Sequence, residues 1–168
     1  MIIVLAKAEK KVDLKNEVEI LKKVRQELKK DPVAKKIFKD FNKSIDLLDG
    51  IPIDISDEID VSAKTINSRI ILNKKLLDEP FKILMRYAVH ELVHALQHID
   101  SKESGDQYSN YKYLDRPDEL EAFQYQIEYD KNKRGEEEVV EYVEELLDYH
   151  EVPEEEQNEK KDELLERT

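Results

Sequence analysis

The chain has 168 residues, which is the size of one ordinary domain. It contains no cysteine, and this excludes disulfides, cysteine-based zinc fingers and thiol catalysis. Its net charge of −12 lies in residues 136–168, which hold 15 acidic and 3 basic side chains, while residues 1–135 hold 25 of each sign. Because binding to phosphates needs clustered Lys and Arg, this charge argues against nucleic acid as a partner.

Apolar runs in the sequence are short. None approaches the roughly 20 residues that span a bilayer. Residues 2–6 form an apolar stretch that is too short for the core of a signal peptide, and they are predicted to be a strand or a buried N-terminus. The sequence therefore predicts a cytoplasmic protein that does not insert into a membrane.

The first part of the chain is predicted to be helical. Apolar residues at helical spacing predict a helix over residues 13–30. Asp31 and Pro32 follow, and this pair is typical of an N-cap and the first residue of a second helix. Its apolar stripe continues to Leu48, and Gly50 ends the helical part.

Three short segments then predict a small sheet. Residues 51–55 and 61–65 alternate apolar and polar side chains, and residues 69–72 are apolar and β-branched. Asn67 and Ser68 form a turn signal between the last two segments. The pattern predicts two or three antiparallel strands.

The second half of the chain returns to helices. Residues 79–99 contain no glycine, and Pro80 stands where a helix begins, so one long helix is predicted there. Residues 101–115 have the composition of a loop. Further helices are predicted over residues 115–133 and around residues 139–147.

Helices, then a short sheet, then helices indicate an α+β fold. The sequence predicts one domain over residues 1–152. Residues 153–168 are predicted to be an acidic, flexible tail with few apolar anchors. Deletion of residues 154–168 is predicted to leave the melting temperature nearly unchanged.

The long predicted helix carries a HExxH motif, formed by His90, Glu91 and His94. Side chains at positions i and i+4 lie on one helix face, so both imidazoles can reach one zinc ion. The adjacent Glu91 points to the side of that face, where it can accept a proton from water. With this composition, the motif arises by chance in about one sequence of this length in a hundred.

The other histidines are predicted to lie outside the metal site. On a helical wheel the motif histidines lie opposite the main apolar face, which disfavours core histidines and leaves surface histidines without a role as the alternative. His98 extends the histidine stripe and is predicted to be exposed or to support a ligand. Gln97 and Asp100 exclude the extended form HExxHxxGxxH. His150 is predicted to be exposed at a helix end.

A catalytic zinc site needs a third protein ligand and an open position. In the absence of cysteine, an acidic residue of the next helix is the natural candidate. Glu119 and Glu121 differ in direction by about 200° on a helix, so at most one of them faces the ion. The helical wheel favours burial of Glu119, while Glu121 is followed by a small residue that allows close approach.

HExxH, then about 25 residues, then a helix with a Glu-Ala pair, resembles the gluzincin zinc metallopeptidases. Within them, residues 65–130 are similar to the small ImmA/IrrE-type and phage-borne minimal domains. The resemblance implies that His90, His94 and Glu121 bind Zn²⁺ and that Glu91 is the general base. It also implies a minimal zincin fold, with the active-site helix packed on a short antiparallel sheet.

One position departs from the resemblance. In the thermolysin-like pattern an Asp stands four positions after the ligand Glu, and here that position is Tyr125. The residues that orient the ligand histidines are therefore not identified. Tyrosines near the motif offer hydroxyl groups for an oxyanion, but the sequence singles out none of them.

The functional hypothesis is hydrolysis of peptide bonds by a zinc metallopeptidase, with Glu91 as the base for an attacking water. The substrate is a peptide or protein, predicted to lie extended beside the segment 69–73 as an edge strand. Two alternatives remain: a non-catalytic zinc-binding regulatory or interaction protein of zincin fold, and a metal-free helical interaction module. The sequence does not predict the oligomeric state.

Overall fold

A computed structural model describes residues 17–101 and 105–166. The chain forms two compact units, Met1–Lys102 and Glu103–Thr168, called here the N-terminal and the C-terminal unit. This division does not test the predicted single domain, because compact units can belong to one domain. Residues 2–6, predicted to be a strand or a buried N-terminus, lie outside the described residues.

The described residues are mostly helical with a small sheet, which confirms the α+β class. The α-helices are α1 (Glu17–Lys30), α2 (Pro32–Asp40), α3 (Phe81–Ser101), α4 (Pro117–Arg134), α5 (Glu136–Tyr149) and α6 (Glu154–Glu166). The strands are β1 (Ile53–Ser56), β2 (Ala63–Ile66) and β3 (Arg69–Asn73). Short 3₁₀ helices cover Ile45–Gly50, Lys74–Asp78, Gly105–Tyr108 and Tyr113–Asp115.

Helix α1 ends and helix α2 begins at the predicted residues, while the predicted start of the first helix at residue 13 lies outside the described residues. Asp31 caps α2, since its carboxylate accepts the backbone N–H groups of Val33 and Ala34 at 2.8 and 3.3 Å. The apolar stripe predicted to run to Leu48 is interrupted after α2. Asn42 adopts a positive φ of 56°, which ends the helix, and the chain continues as a 3₁₀ helix.

The sheet is mixed, so the prediction of an antiparallel sheet is wrong for one strand pair. The strand order is β1-β3-β2, with β1 parallel and β2 antiparallel to β3. β3 is therefore the central strand, not an edge strand as predicted. Its residues Ile70 and Leu72 lie on one face of the strand and are fully buried, and helix α3 packs on this strand.

The hairpin between β2 and β3 is fastened to the motif helix. Asn67 and Ser68 have φ of 48° and 64°, as expected for a two-residue hairpin turn with positive φ at both central positions. The Ser68 backbone N–H donates to Nδ1 of His98 at 3.4 Å, and the Thr65 hydroxyl donates to the carbonyl of Glu91 at 3.2 Å. These two hydrogen bonds hold the edge strand β2 against α3.

The described residues of the C-terminal unit form three α-helices joined by short connections. Gly135, with φ of 83°, ends α4 and leads into α5, as its position in the sequence indicated. The amide of Gln126 donates to the Tyr142 hydroxyl at 2.8 Å and joins these two helices.

Helix α6 occupies the segment expected to be a flexible acidic tail. Leu164 is fully buried within this unit, which packs α6 on α4 and α5. The Lys160 ammonium donates to the carbonyl of Leu114 at 3.2 Å, and the Lys131 ammonium donates to the carbonyl of Leu165 at 3.1 Å. One buried leucine and two lysines thus dock a helix whose other residues are mostly charged.

No helix among the described residues is both long and apolar enough to cross a membrane. The cytoplasmic location stays a prediction.

We expect Leu164→Ala to lower the free energy of unfolding by about 2–5 kcal/mol, because it leaves a cavity under α6. Urea denaturation followed by circular dichroism measures the effect. The exposed Glu155 on the same helix provides the control Glu155→Ala, expected to stay within about 0.5 kcal/mol of the wild type. If Leu164→Ala were as stable as the control, α6 would not be docked in solution.

Glu79, just before α3, is predicted to make stability depend on pH. Burial raises the pKa of Glu79, and the neighbouring Asp78 carboxylate raises it further. Its Oε2 atom is buried and accepts no hydrogen bond from the described residues. Because the folded-state pKa lies above the unfolded value, the folded protein loses stability as pH rises through this range.

Glu79→Gln is therefore expected to unfold at higher urea concentration than the wild type at pH 8, with the difference disappearing near pH 4. The exposed neighbour gives the control Asp78→Asn, for which a smaller gain at pH 8 is expected. A variant Glu79→Gln that is less stable than the wild type at pH 8 would contradict the assignment.

Candidate metal centre

Three polar side chains of the HExxH motif meet on one turn of α3. The Nε2 atoms of His90 and His94 lie 3.2 Å apart, and their rings meet edge to face at 68° with centroids 4.9 Å apart. Ligand atoms of His90, Glu91 and His94 all lie within 4.8 Å of one another. The helical spacing thus brings two imidazoles and one carboxylate to a single point.

The distance between the two imidazole nitrogens fits a shared metal ion. Zinc–nitrogen bonds of 2.0–2.1 Å and a tetrahedral angle place two ligand nitrogens about 3.3 Å apart. The observed 3.2 Å between Nε2 of His90 and Nε2 of His94 agrees with this value. The residues therefore form a candidate metal-binding site that is compatible with the zincin motif.

The motif side chains are buried, which the helical wheel did not predict. His90 and His94 are each 7 % exposed and Glu91 is 5 % exposed. The helix is buried on every side from Ile83 to Leu96, including the histidine side. Surface histidines without a role are therefore excluded, and burial of three ionisable groups together indicates that they bind something or one another.

Gln97 contacts the ring nitrogen of His94 that faces away from His90. Its Oε1 atom lies 2.7 Å from Nδ1 of His94. Ligand histidines commonly donate their second ring N–H to a carbonyl oxygen in this way. This contact was not predicted from the sequence, in which Gln97 only excludes the longer motif, although a spacing of three residues on a helix is compatible with it.

His98 lies further along α3 and is half-buried. Its Nδ1 accepts the backbone N–H of Ser68, so it fastens the hairpin. The predicted alternatives, an exposed residue or a support for a ligand, miss this role.

The two candidate carboxylates of α4 differ in their surroundings. Glu119 is 7 % exposed, and its Oε2 accepts the Tyr113 hydroxyl at 2.8 Å. Glu121 is exposed. The prediction that Glu121 is the third ligand stays a prediction, and the prediction from the wheel that Glu119 is buried is confirmed.

Aromatic rings surround Tyr113 in the C-terminal unit. The His150 ring stacks on it at 4.5 Å with an interplanar angle of 16°, and the Phe123 ring meets it edge to face at 6.3 Å. His150 is half-buried at the end of α5, not exposed as predicted. Burial lowers the pKa of His150, while the charge of Glu119 opposes this shift.

Comparison with known proteins provides no family: no family model matches the chain, and no curated protein and no solved structure is significantly similar to it. The resemblance to gluzincins therefore depends on the motif and on the geometry of α3.

Proposed function

We propose that the protein is a zinc-dependent metallopeptidase that hydrolyses peptide bonds. The observation that carries the proposal is the buried turn of α3, where His90, Glu91 and His94 offer ligand atoms within 4.8 Å of one another. Imidazole nitrogen suits zinc, whereas Mg²⁺ and Ca²⁺ take oxygen ligands. The donor set therefore favours Zn²⁺.

In this proposal, His90 and His94 hold the ion and Glu91 moves the proton. When bound, zinc supplies a positive charge that acidifies water and polarises a carbonyl group. The Glu91 carboxylate accepts a proton from the attacking water while the oxygen of that water bonds to the carbonyl carbon. The Glu91 carboxyl then donates this proton to the amide nitrogen, the C–N bond breaks and the amine leaves.

We infer that α4 provides the third ligand, and its side chains favour Glu119. A ligand carboxylate has to leave water and is commonly held by a second hydrogen-bond donor. Glu119 meets both conditions, since it is buried and accepts the Tyr113 hydroxyl. Glu121, which the resemblance implies, is exposed and does not meet the burial condition, and it is the alternative.

The proposed substrate-binding strand is β2, because β3 is central in the sheet. Among residues 17–101 and 105–166, β2 pairs with β3 and with no other strand, and in this proposal a peptide adds to its outer edge. The bond from the Thr65 hydroxyl to the Glu91 carbonyl holds β2 beside the proposed base. An extended peptide added to β2 would thus lie near Glu91.

Glu91→Gln tests the proposed base. The amide keeps the size of the side chain but cannot accept the proton, so zinc binding is retained while hydrolysis falls by about 10²-fold or more. The assay measures cleavage of a fluorescently labelled unfolded protein by the zinc-loaded enzyme. The exposed Glu19 gives the control Glu19→Gln, with unchanged rate.

Full activity of Glu91→Gln would show that another group is the base. A wild-type protein that binds zinc but cleaves no unfolded protein or peptide would instead support the non-catalytic zinc-binding alternative.

The variants Glu119→Gln and Glu121→Gln test the third ligand. Competition with a chromophoric zinc chelator measures the zinc dissociation constant of each. We expect the Glu119 change to weaken zinc binding by at least about 100-fold, since changes outside the ligand shell already cost 10–100-fold. The Glu121 change is expected to have little effect. The reverse result would assign the ligand to Glu121.

A further inference from the structure

Gln97 contacts a ring nitrogen of His94, one of the two histidines of the candidate metal site. The Oε1 atom of Gln97 lies 2.7 Å from Nδ1 of His94. An amide oxygen has lone pairs and no hydrogen, so it can only accept. The His94 ring must therefore carry its hydrogen on Nδ1 to make this bond.

This proton position leaves the other ring nitrogen ready to bind a metal. A neutral imidazole has one N–H, so with hydrogen on Nδ1 the lone pair is on Nε2. Nε2 of His94 is the atom that lies 3.2 Å from Nε2 of His90, at the centre of the candidate site. Free histidine in water prefers the other tautomer, with the hydrogen on Nε2, which cannot bind a metal through that atom.

We propose that Gln97 is a positioning residue that selects the metal-binding tautomer of His94 and fixes the orientation of its ring. Both residues lie on α3, three positions apart, a spacing that lets their side chains meet on one face of the helix. The inference rests on the proposed function for the identity of the ion, while the tautomer of His94 is a property of the metal-free protein. It also assigns a residue that orients a ligand histidine, which the resemblance left unidentified.

The first arm of the test measures the tautomer without metal. Long-range ¹H–¹⁵N NMR of the zinc-free protein at about pH 8.5, where an unperturbed imidazole is neutral, distinguishes hydrogen on Nδ1 from hydrogen on Nε2. The chain has four histidines, so single substitutions assign the signals. We expect His94 to carry hydrogen on Nδ1 in the wild type and mainly on Nε2 in Gln97→Leu.

The second arm measures zinc affinity by chelator competition. Gln97→Leu is expected to bind zinc about 10–100-fold more weakly, the usual effect of losing such a support. Gln97→Glu keeps an acceptor oxygen at the same position and is expected to restore both the Nδ1–H tautomer and the affinity. The exposed Gln107 gives the control Gln107→Leu, expected to match the wild type.

Two results would overturn the inference: hydrogen on Nε2 of His94 in the wild type, or Gln97→Leu leaving tautomer and affinity unchanged. If the wild type bound no zinc, the proposed function would fail, and the tautomer measurement would still decide the role of Gln97. If zinc bound equally to the wild type and to Gln97→Leu, the inference would fail and the proposed function would stand.

Discussion

The candidate metal centre depends on the short distance between one ring nitrogen of His90 and one ring nitrogen of His94. Nε2 of His90 and Nε2 of His94 face each other at 3.2 Å in a buried setting. Two lone pairs at this distance repel, so a proton or a cation has to lie between them. In the proposed arrangement the Nδ1 hydrogen of His94 is directed at Gln97, so the lone pair on Nε2 of His94 is left for a hydrogen bond from His90 or for a metal ion.

The surrounding fold keeps these atoms in place. The motif helix is buried from Ile83 to Leu96, so its side chains have little freedom to turn toward water. Hydrogen bonds from Thr65 and Ser68 fasten the hairpin to the same helix, one of them at the carbonyl of Glu91. The proposed base and the edge strand β2 are thereby held by one connected set of contacts within the N-terminal unit.

Local signals in the sequence predicted the local parts of the fold. The Asp31 cap, the Asn67–Ser68 turn and the helix that carries HExxH depend on neighbours a few residues away, and all three are confirmed. The strand order was not predictable in this way, because alternation of apolar residues indicates which face of a strand is buried and not which strand lies beside it. The parallel pairing of β1 with β3 could therefore not be predicted from the apolar pattern.

The same limit applies to the candidate site. The HExxH spacing identified the two histidines of the site. Outside the site, most residues of α6 are charged, so the sequence did not indicate that Leu164 packs this helix on its neighbours. The helical wheel of α4 separated the buried Glu119 from the exposed Glu121, but burial alone does not identify which carboxylate binds an ion. The contact of Gln97 with His94 depends on rotamers, which a sequence does not specify.

The central claim is that His90 and His94 share a metal ion. Elemental analysis of the protein after native purification without chelators tests it most directly, with His94→Asn as the comparison. We expect about one zinc per chain in the wild type, as for a single site of this ligand type. The zinc content of His94→Asn is expected to be much lower. A stably folded wild type that is free of metal and takes up none from added zinc would contradict it.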